Sequence, residues 1–424
     1  MNSEAVEEIL KELSEGKIKL HEVDKKVADI LKCPDANVAT DIRRRNVEIK
    51  TGVSLKHTGH YSIDMNKTSH DNLTIGVVQY PVKYVGDLRV NGEYANGEYP
   101  IFLAVTEGLL AAGAARAVSV FNEAGGITTR IIKDGMTRDV LIKTSGISDS
   151  KKIYNFIRSD EGKKFLKNEF DSQSKHVKLL DIEPFVDGEY LHIRYVASTG
   201  AVMGMNAVTE LGRYATEALQ DYAEKNLNIK FDVLTVSGNM CTDKKPSYID
   251  VLHGRGMSIE TEGFIPKDLV KRKFFGDDKN LDECVARVAE VNYAKNDRGS
   301  RLAGSFGYNT HVANALAALY LAYGQDVAQI VEGSMARIDI KAREDGLAIH
   351  GSFPALELGT YGGETGWGVQ KELLTATGVY GEGDDTGITR YKLGEIVAAA
   401  ATAIDVNLTA VQAAGKLKST RKKR

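Results

Sequence analysis

The sequence predicts a mixed α/β (α+β) fold: a large domain with a buried central helix, and a small ferredoxin-like domain inserted into it. Residues 139–236 follow the order strand, helix, strand, strand, helix, strand, which is the ferredoxin-like arrangement. His311–Glu332 is apolar nearly all round, as is usual for a helix in the middle of a domain. With 424 residues, of which 42% are hydrophobic, the chain is long enough for two or three domains.

The remaining elements are predicted from hydrophobic spacing and from turn residues. Apolar residues at helical intervals predict helix over residues 3–32, and β-branched runs predict strands over residues 74–105. A helix rich in small residues is expected over Glu107–Phe121, a glycine-rich loop over Gly359–Gly366, and an alanine-rich helix over Leu393–Lys416. We therefore expect an N-terminal helical segment (1–55), a large domain (56–138 and 237–415), an inserted domain (139–236) and a basic tail (416–424).

Composition argues against several classes of protein. A net charge of −3 gives no reason to expect nucleic-acid binding. Cys33, Cys241 and Cys284 have no CxxC spacing, so neither a disulfide framework nor a metal site is expected, and a reducing cytoplasm fits best. Met1–Gly16 is too polar for a signal peptide, and apolar runs such as Ile396–Ile404 are shorter than the roughly 20 residues that span a bilayer. We therefore expect a soluble cytoplasmic protein without a membrane segment.

Four short segments combine ionisable residues with glycine or proline: Ala104–Gly108, Ser237–Pro246, Gly324–Asp326 and Gly359–Thr365. Each alone also has an ordinary structural interpretation, since a glutamate at a helix start is commonly a dipole-stabilising charge and a glycine-rich loop is commonly a turn. Asp326 is the strongest single candidate, because the helix predicted around it is apolar. A buried carboxylate needs a partner or a raised pKa, and both are typical of functional sites.

Further segments follow the same order along the chain: Asn91–Pro100, Asp134–Arg138, Met203–Asn206 and Asn309–Asn314. Together with the four above, and over roughly Arg43 to Lys416, they resemble the hydroxymethylglutaryl-CoA (HMG-CoA) reductase family, class I-like. The resemblance implies NADPH-dependent reduction of HMG-CoA to mevalonate with release of CoA. It also implies a homodimer, or a multiple of one, whose active site is shared between two subunits.

The resemblance assigns roles to individual residues. Lys244 would stabilise the oxyanion formed by hydride transfer, Glu107 would supply a proton to the aldehyde oxygen, and Asp326 would hold both in one network. Substrate contacts are expected from Arg116, Arg138, Ser237, Lys245, Lys295 and Asn314. Cofactor contacts are expected from Ser174, Lys175, Met203, Gly204, Met205, Asn206, Gly362 and Gly363. The Ser174-Lys175 pair favours NADPH, with NADH as the alternative.

Three positions depart from the family pattern. Ala201 replaces an aspartate of the cofactor motif, Glu364 replaces a glycine of the glycine-rich loop, and Lys416 replaces the histidine that protonates the leaving thiolate. An ordinary lysine is a weaker acid than a thiol by about two pKa units, so Lys416 would need desolvation, or would stabilise the thiolate by charge alone. Otherwise Lys416 is an ordinary residue of a basic tail, which is either solvated or attracted to the phosphates of CoA.

These departures leave two other functions open. One is a divergent enzyme that acts on another acyl thioester or performs only part of the reaction. The other is a non-catalytic acyl-CoA-binding protein. Retention of Glu107, Lys244 and Asp326 argues against the second, because a buried charge network is costly to keep.

Overall fold

The computed structural model describes residues 3–33, 35–59, 79–276 and 279–416. The predicted mixed fold is confirmed. The α-helices are α1 (Ser3–Ser14), α2 (Val23–Leu31), α3 (Ala36–Thr51), α4 (Lys56–Gly59), α5 (Gly108–Glu123), α6 (Ile147–Arg158), α7 (Asp160–Ser172), α8 (Met205–Tyr222), α9 (Tyr248–His253), α10 (Lys267–Val270), α11 (Leu281–Val291), α12 (Ser300–Ala303), α13 (Val312–Tyr323), α14 (Ile330–Gly333), α15 (Gly368–Ala376) and α16 (Ile388–Ala413). The strands are β1 (Val82–Asn91), β2 (Asn96–Ala104), β3 (Ile127–Lys143), β4 (Lys178–Asp187), β5 (Tyr190–Ser198), β6 (Asp232–Thr235), β7 (Gly256–Pro266), β8 (Arg337–Ala342) and β9 (Gly346–Leu356). Short 3-10 turns cover Leu20–Glu22, Val327–Gln329 and Gly363–Gly366, and π-helical turns cover Ala223–Leu227, Lys271–Phe275 and Asn292–Gly299.

The long strand β3 joins two parts of the sheet. Its first half pairs antiparallel with β7 and briefly parallel with β1, within the order β2-β1-β3-β7-β9-β8. Its second half pairs antiparallel with β5 on one side and β6 on the other, and β4 completes this smaller part beside β5. With α6, α7 and α8 on the smaller part, this is the predicted ferredoxin-like arrangement. The proposed boundary between residues 138 and 139 thus falls inside a continuous strand.

Each part of the sheet has its own hydrophobic core. The smaller part packs α6, α7 and α8 over side chains such as Phe170, Leu191 and Leu219, all of which are fully buried. The larger part packs α5, α11, α13 and α16 around its strands. The N-terminal helices α1, α2 and α3 enclose a third, small cluster that includes Ile9 and Val27.

Helix α16 is the central buried helix. It begins at Ile388, five residues before the predicted start at Leu393, and it packs on α5, α11 and α13 as well as on five strands. By length and composition it is the one helix in the described residues that could cross a membrane, but 83% of its most apolar window is buried inside the fold. This burial is what a core helix shows, so the composition of α16 does not argue for a membrane span.

The prediction of one apolar helix over His311–Glu332 is wrong. Helix α13 ends at Tyr323 because Gly324 adopts a left-handed conformation, with φ 66°, and terminates it. Asp326 then caps a 3-10 turn, accepting a hydrogen bond from the Ala328 N–H at 3.0 Å. Asp326 therefore lies in a break between two helices, with 30% of its side chain exposed, rather than inside an apolar helix.

Candidate active site

Lys244 lies on a strained loop that connects β6 to α9. Asn239, Thr242 and Lys244 all have left-handed backbone conformations, with φ of 71°, 61° and 59°. For residues other than glycine this conformation costs about 1–2 kcal/mol each. Such strain persists only where surrounding contacts enforce the geometry, and it concentrates at functional sites. The strain therefore makes this loop a candidate functional site, and buried contacts must hold it in place.

Asp139, a fully buried carboxylate in β3, holds the start of the loop. Its backbone oxygen accepts a hydrogen bond from Gly238 N at 3.0 Å, and its Oδ2 accepts one from Met240 N at 2.9 Å. A side chain at Gly238 would collide with Asp139 Oδ2, so the close approach requires glycine. The same oxygen lies 2.8 Å from His192 Nδ1, and this hydrogen bond raises the pKa of His192.

Arg255, a fully buried residue directly before β7, holds the middle of the loop. Its Nη1 donates to Thr137 O at 2.6 Å and to Cys241 O at 3.0 Å, and its Nη2 donates to Asp243 Oδ1 at 3.0 Å. Gln329 Nε2 donates to the same Asp243 oxygen at 2.9 Å. Burial opposes ionisation of Asp243, but the hydrogen bond from Gln329 and the charge of Arg255 outweigh it and lower the pKa of Asp243.

The ammonium group of Lys244 pairs with Asp326. Lys244 Nζ lies 3.3 Å from Asp326 Oδ2, and Gln329 Nε2 lies 3.4 Å from the same oxygen. Because Gln329 also binds Asp243, it connects this pair to the contacts that hold the loop. The Lys244 side chain is 39% exposed, so its ammonium is oriented by protein contacts on one side and accessible to a ligand on the other.

Glu107 does not join this pair within one chain. It is the N-cap residue of α5, its side chain is exposed, and it makes no capping hydrogen bond. Across the described ranges, no ion pair within 4.0 Å connects Glu107 to Lys244. The network of three residues expected from the sequence is thus represented in a single chain by Lys244 and Asp326 alone.

The candidate substrate residues divide into two groups. Arg138, Ser237 and Lys245 lie at the lysine loop: Arg138 is buried with Nη1 3.4 Å from Asp243 Oδ2, Ser237 is exposed, and Lys245 Nζ donates to Asp243 O at 3.0 Å. The other group comprises exposed residues on other elements. They are Arg116 on α5, Lys295 in a π-helical turn and Asn314 on α13; Lys416, the candidate for protonating the thiolate, is exposed after α16.

Two segments predicted to bind the cofactor, Met203–Asn206 and the glycine-rich loop, meet the segment that carries Asp326. Gln325 makes two hydrogen bonds to Gly359, accepting from its N–H at 2.7 Å and donating to its carbonyl at 2.9 Å. Thr360 N donates to Ala201 O at 2.8 Å. A Cβ at Gly359 would lie 2.8 Å from Met203 N, so the glycine permits this close packing. The segment from Ala201 to Asn206, the glycine-rich loop and Gln325-Asp326 therefore form one contiguous unit.

This unit exposes backbone suited to a phosphate-containing ligand. Gly204, with φ 84°, is the N-cap of α8, so Met205 and Asn206 present first-turn N–H groups. Gly362 and Gly363 are exposed with positive φ, and apart from its chain neighbours no atom of the described residues lies within 4 Å of where a Cβ on Gly363 would be. Glu364 beside them is also exposed.

Ser174 and Lys175 lie near this unit. Ser174 Oγ accepts hydrogen bonds from His176 N at 3.2 Å and Val177 N at 3.1 Å, which leaves Lys175 exposed in a tight turn. His176 Nδ1 lies 2.9 Å from Asp385 Oδ1, in the loop that approaches Gly200.

Sequence reasoning missed the buried charges behind the lysine loop. Lys244 N donates to Glu332 Oε1, and Arg255 Nε lies 2.9 Å from Glu357 Oε1. Glu332 and Glu357 are at most 1% exposed. Both occur in predominantly apolar segments, and charge in such a segment was the signal that could have identified them.

Known proteins resemble this chain over nearly its full length. The family model described as hydroxymethylglutaryl-coenzyme A reductase matches residues 39–423. The 3-hydroxy-3-methylglutaryl-coenzyme A reductase of Pyrococcus abyssi is 40% identical over 417 residues, which cover 97% of both chains. That of Methanocaldococcus jannaschii is 39% identical over 416 residues, covering 97% of this chain and 96% of the relative.

A solved structure supports the fold. The class II 3-hydroxy-3-methylglutaryl-CoA reductase of Streptococcus pneumoniae, bound to NADPH in open conformations, matches with a TM-score of 0.64 at 15% identity, covering 93% of this chain and all of that one. At this identity the likeness concerns the fold alone. From the family model and the relatives, the chain belongs to the hydroxymethylglutaryl-coenzyme A reductase family.

Proposed function

We propose that this protein reduces HMG-CoA, or a closely similar acyl-CoA thioester, to mevalonate with release of CoA, using NADPH. The observation that carries the proposal is the placement of Lys244. A strained loop, held by buried contacts, directs its ammonium group to Asp326, which belongs to the unit that we propose binds the cofactor. Relatives of this chain at 40% and 39% identity carry the name of this activity.

The ammonium of Lys244 would act on the carbonyl oxygen of the thioester. Hydride addition places negative charge on that oxygen, and a donor held in place beforehand stabilises the charge without reorganisation. Asp326 orients Lys244 from 3.3 Å, while about two-fifths of the lysine side chain stays accessible to substrate. Lys245 and Arg138 add positive charge at the same loop, which suits the free carboxylate of the HMG group.

The residues present fit NADPH, which when bound would supply the hydride. The open backbone at Gly362 and Gly363 and the N-terminus of α8 provide N–H groups for its phosphates, with Met203, Gly204, Met205 and Asn206 forming the adjoining wall. Ser174 and Lys175 would contact the 2′-phosphate, and the lysine charge favours NADPH over NADH. Glu364 is exposed beside Gly363, where its carboxylate would repel a phosphate.

We further propose that the active site is completed by a second copy of the chain. Apolar side chains next to the lysine loop and Asp326 are exposed, among them Tyr248 (68%), Leu252 (79%) and Val327 (45%). Tyr248 and Leu252 are four residues apart on α9 and therefore share one face, and apolar side chains exposed together in this way are typical of an interface. In a homodimer, Glu107 of one subunit would approach Lys244 of the other, which explains why Glu107 is exposed and distant from that lysine in a single chain.

Two further points belong to the proposal. Arg116, Ser237, Lys295 and Asn314 would surround the acyl-CoA, and Lys416 would stabilise or protonate the leaving thiolate. Cys33, Cys241 and Cys284 are free thiols, and this agrees with a reducing cytoplasm.

A direct assay tests the function. Purified protein is incubated with HMG-CoA and NADPH while nicotinamide absorbance and free thiol are followed. We expect turnover in the wild type and none in Lys244→Ala. Lys225 is an exposed lysine of the smaller part, and we expect Lys225→Ala to leave turnover unchanged. Binding of HMG-CoA by calorimetry without oxidation of either nicotinamide would instead identify a binding protein.

A complementation assay tests the shared site. Lys244→Ala and Glu107→Gln are each expected to be inactive. If each site uses Lys244 of one subunit and Glu107 of the other, random reassociation of the two variants restores about a quarter of wild-type activity, because half of the dimers are mixed and each has one intact site. Recovery of no activity from mixed dimers would show that both residues act from one subunit.

A second candidate function is a reductase that performs only the aldehyde stage. The exposed position of Lys416 favours it, because among the described residues no hydrogen bond or ion pair fixes its ammonium group beside a leaving thiolate. Reduction of mevaldehyde without reduction of HMG-CoA would identify this activity.

A further inference from the structure

Two carboxyl groups that the proposed reaction does not use are buried directly behind the Lys244 loop. Glu332 on α14 is fully buried, and Glu357, directly after β9, is 1% exposed. Arg255 lies between them, with its Nε 2.9 Å from Glu357 Oε1 and 3.7 Å from Glu332 Oε1. Both carboxyl groups therefore face the Nε atom of the same guanidinium group.

These carboxyl groups have few hydrogen bonds. Within the part of the chain that the structure describes, Glu332 Oε2 and both carboxyl oxygens of Glu357 are buried without a partner in hydrogen-bond geometry. The nearby hydroxyl of Tyr320 is also buried without one. Two ionised carboxylates in such a place would carry a large desolvation cost, which protonation of one of them relieves.

The surrounding charges also favour protonation of one of the two carboxyl groups. Arg255 is already engaged by Asp243 at 3.0 Å. Asp250, fully buried on α9, adds a further acidic group, and Arg194 is the cation nearest to it at 3.8 Å. Acidic groups therefore outnumber the cations that face Glu332 and Glu357.

The protonation of both groups follows from this setting. Burial, assisted by Asp250, raises the pKa of Glu332 to about 7 against the opposing effects of backbone N–H groups and Arg255. Burial raises the pKa of Glu357 well above its ordinary range, and neighbouring Glu332 adds to the increase. At neutral pH, Glu357 is therefore the member that holds the proton and Glu332 the member that titrates.

Glu332 connects this pair to the lysine. Its Oε1 accepts the hydrogen bond from Lys244 N, at a residue whose φ is 59°. A carboxylate is a much stronger acceptor than a neutral carboxyl group. The ionised form of Glu332 therefore stabilises the strained backbone that directs the Lys244 side chain to Asp326, and its protonated form stabilises it less.

We propose that Glu332 is a positioning residue for Lys244, and that its ionisation, controlled by a proton held on the adjacent Glu357, determines how firmly the lysine is oriented. The inference rests on the proposed reductase function, in which Lys244 stabilises the oxyanion. Neither carboxyl group is exposed, so their effect is on kcat rather than on substrate binding.

The pH profile of kcat tests this role. In the wild type, kcat is expected to rise with pH through about 7 as Glu332 ionises. Glu332→Gln keeps a neutral acceptor of the same shape, so we expect the rise to disappear and kcat above it to fall about tenfold, with KM for HMG-CoA changed less than twofold. Glu357→Gln replaces a protonated carboxyl group by a neutral amide, so we expect the rise to stay near its wild-type pH; a shift to lower pH would show that Glu357 is ionised and would overturn its assignment as the proton holder. Persistence of the rise in Glu332→Gln would overturn the proposal.

Two spectroscopic measurements do not depend on turnover. Infrared difference spectra between acidic and neutral pH should contain a protonated-carboxyl band that Glu332→Gln removes. After reductive methylation with labelled carbon, the Lys244 resonance, assigned by its loss in Lys244→Ala, should shift in Glu332→Gln while that of Lys225 does not. If the wild type does not oxidise NADPH but both changes appear, the proposed function fails and the positioning role stands. If the wild type is active and neither change appears, the positioning role fails.

Discussion

Gln325→Leu tests how the glycine-rich loop is held against the lysine site. Gln325 is 8% exposed, and its amide makes both of the hydrogen bonds to the Gly359 backbone, at 2.7 and 2.9 Å. Leucine has nearly the same size but neither donor nor acceptor, so the N–H and C=O of Gly359 would be left buried without partners. Each such group costs about 1–3 kcal/mol, so we expect a loss of about 2–4 kcal/mol once partial relaxation of the loop is allowed.

The loss should appear in cofactor binding as well as in stability. Gly359 begins the loop that contains Gly362 and Gly363, so we expect KM for NADPH to rise about tenfold or more while KM for HMG-CoA changes less than twofold. Steady-state kinetics with each substrate varied and a denaturant unfolding curve measure the two effects. Gln370→Leu is the matched control, because Gln370 makes one long hydrogen bond of 3.4 Å to Leu321 O nearby. Wild-type stability and an unchanged KM for NADPH in Gln325→Leu would refute the reasoning.

Three further predictions concern the loop and the leaving thiolate. Gly238→Ala should lower both kcat and the melting temperature, because its Cβ would collide with Asp139; a folded variant with wild-type kcat would contradict this. The hydrogen bond to Asp139 raises the pKa of His192, so the stability that it contributes is complete below the ordinary pKa of histidine and is lost as pH rises through the raised value. As pH rises across that range, the melting temperature should fall more in the wild type than in His192→Gln. Parallel curves of melting temperature against pH would contradict this stabilising role of His192. Lys416→Ala should slow HMG-CoA reduction more than mevaldehyde reduction, and equal effects would exclude a role at the thiolate.

Local patterns were sufficient for much of the fold. The order of elements in residues 139–236 predicted the ferredoxin-like part, because alternation and helical spacing are local properties of the chain. The prediction that the helix continues beyond Tyr323 was wrong. Its residues are apolar enough to extend the pattern, but Gly324 adopts a left-handed conformation and the chain turns to place Asp326 beside Lys244. Hydrophobic periodicity indicates which face of a helix is buried, but it does not show that the backbone changes direction at a single glycine.

For the site, the family and the candidate residues could be predicted from the sequence, because the segments around Glu107, Lys244 and Asp326 are short and each consists of consecutive residues. Which of these residues lie close together depends on the three-dimensional fold. It pairs Lys244 with Asp326, leaves Glu107 apart, and supports the strained loop with Arg255 and Glu332. These last contacts join residues far apart in the chain, and their strength depends on burial and on neighbouring charge, which a linear order of residues does not specify.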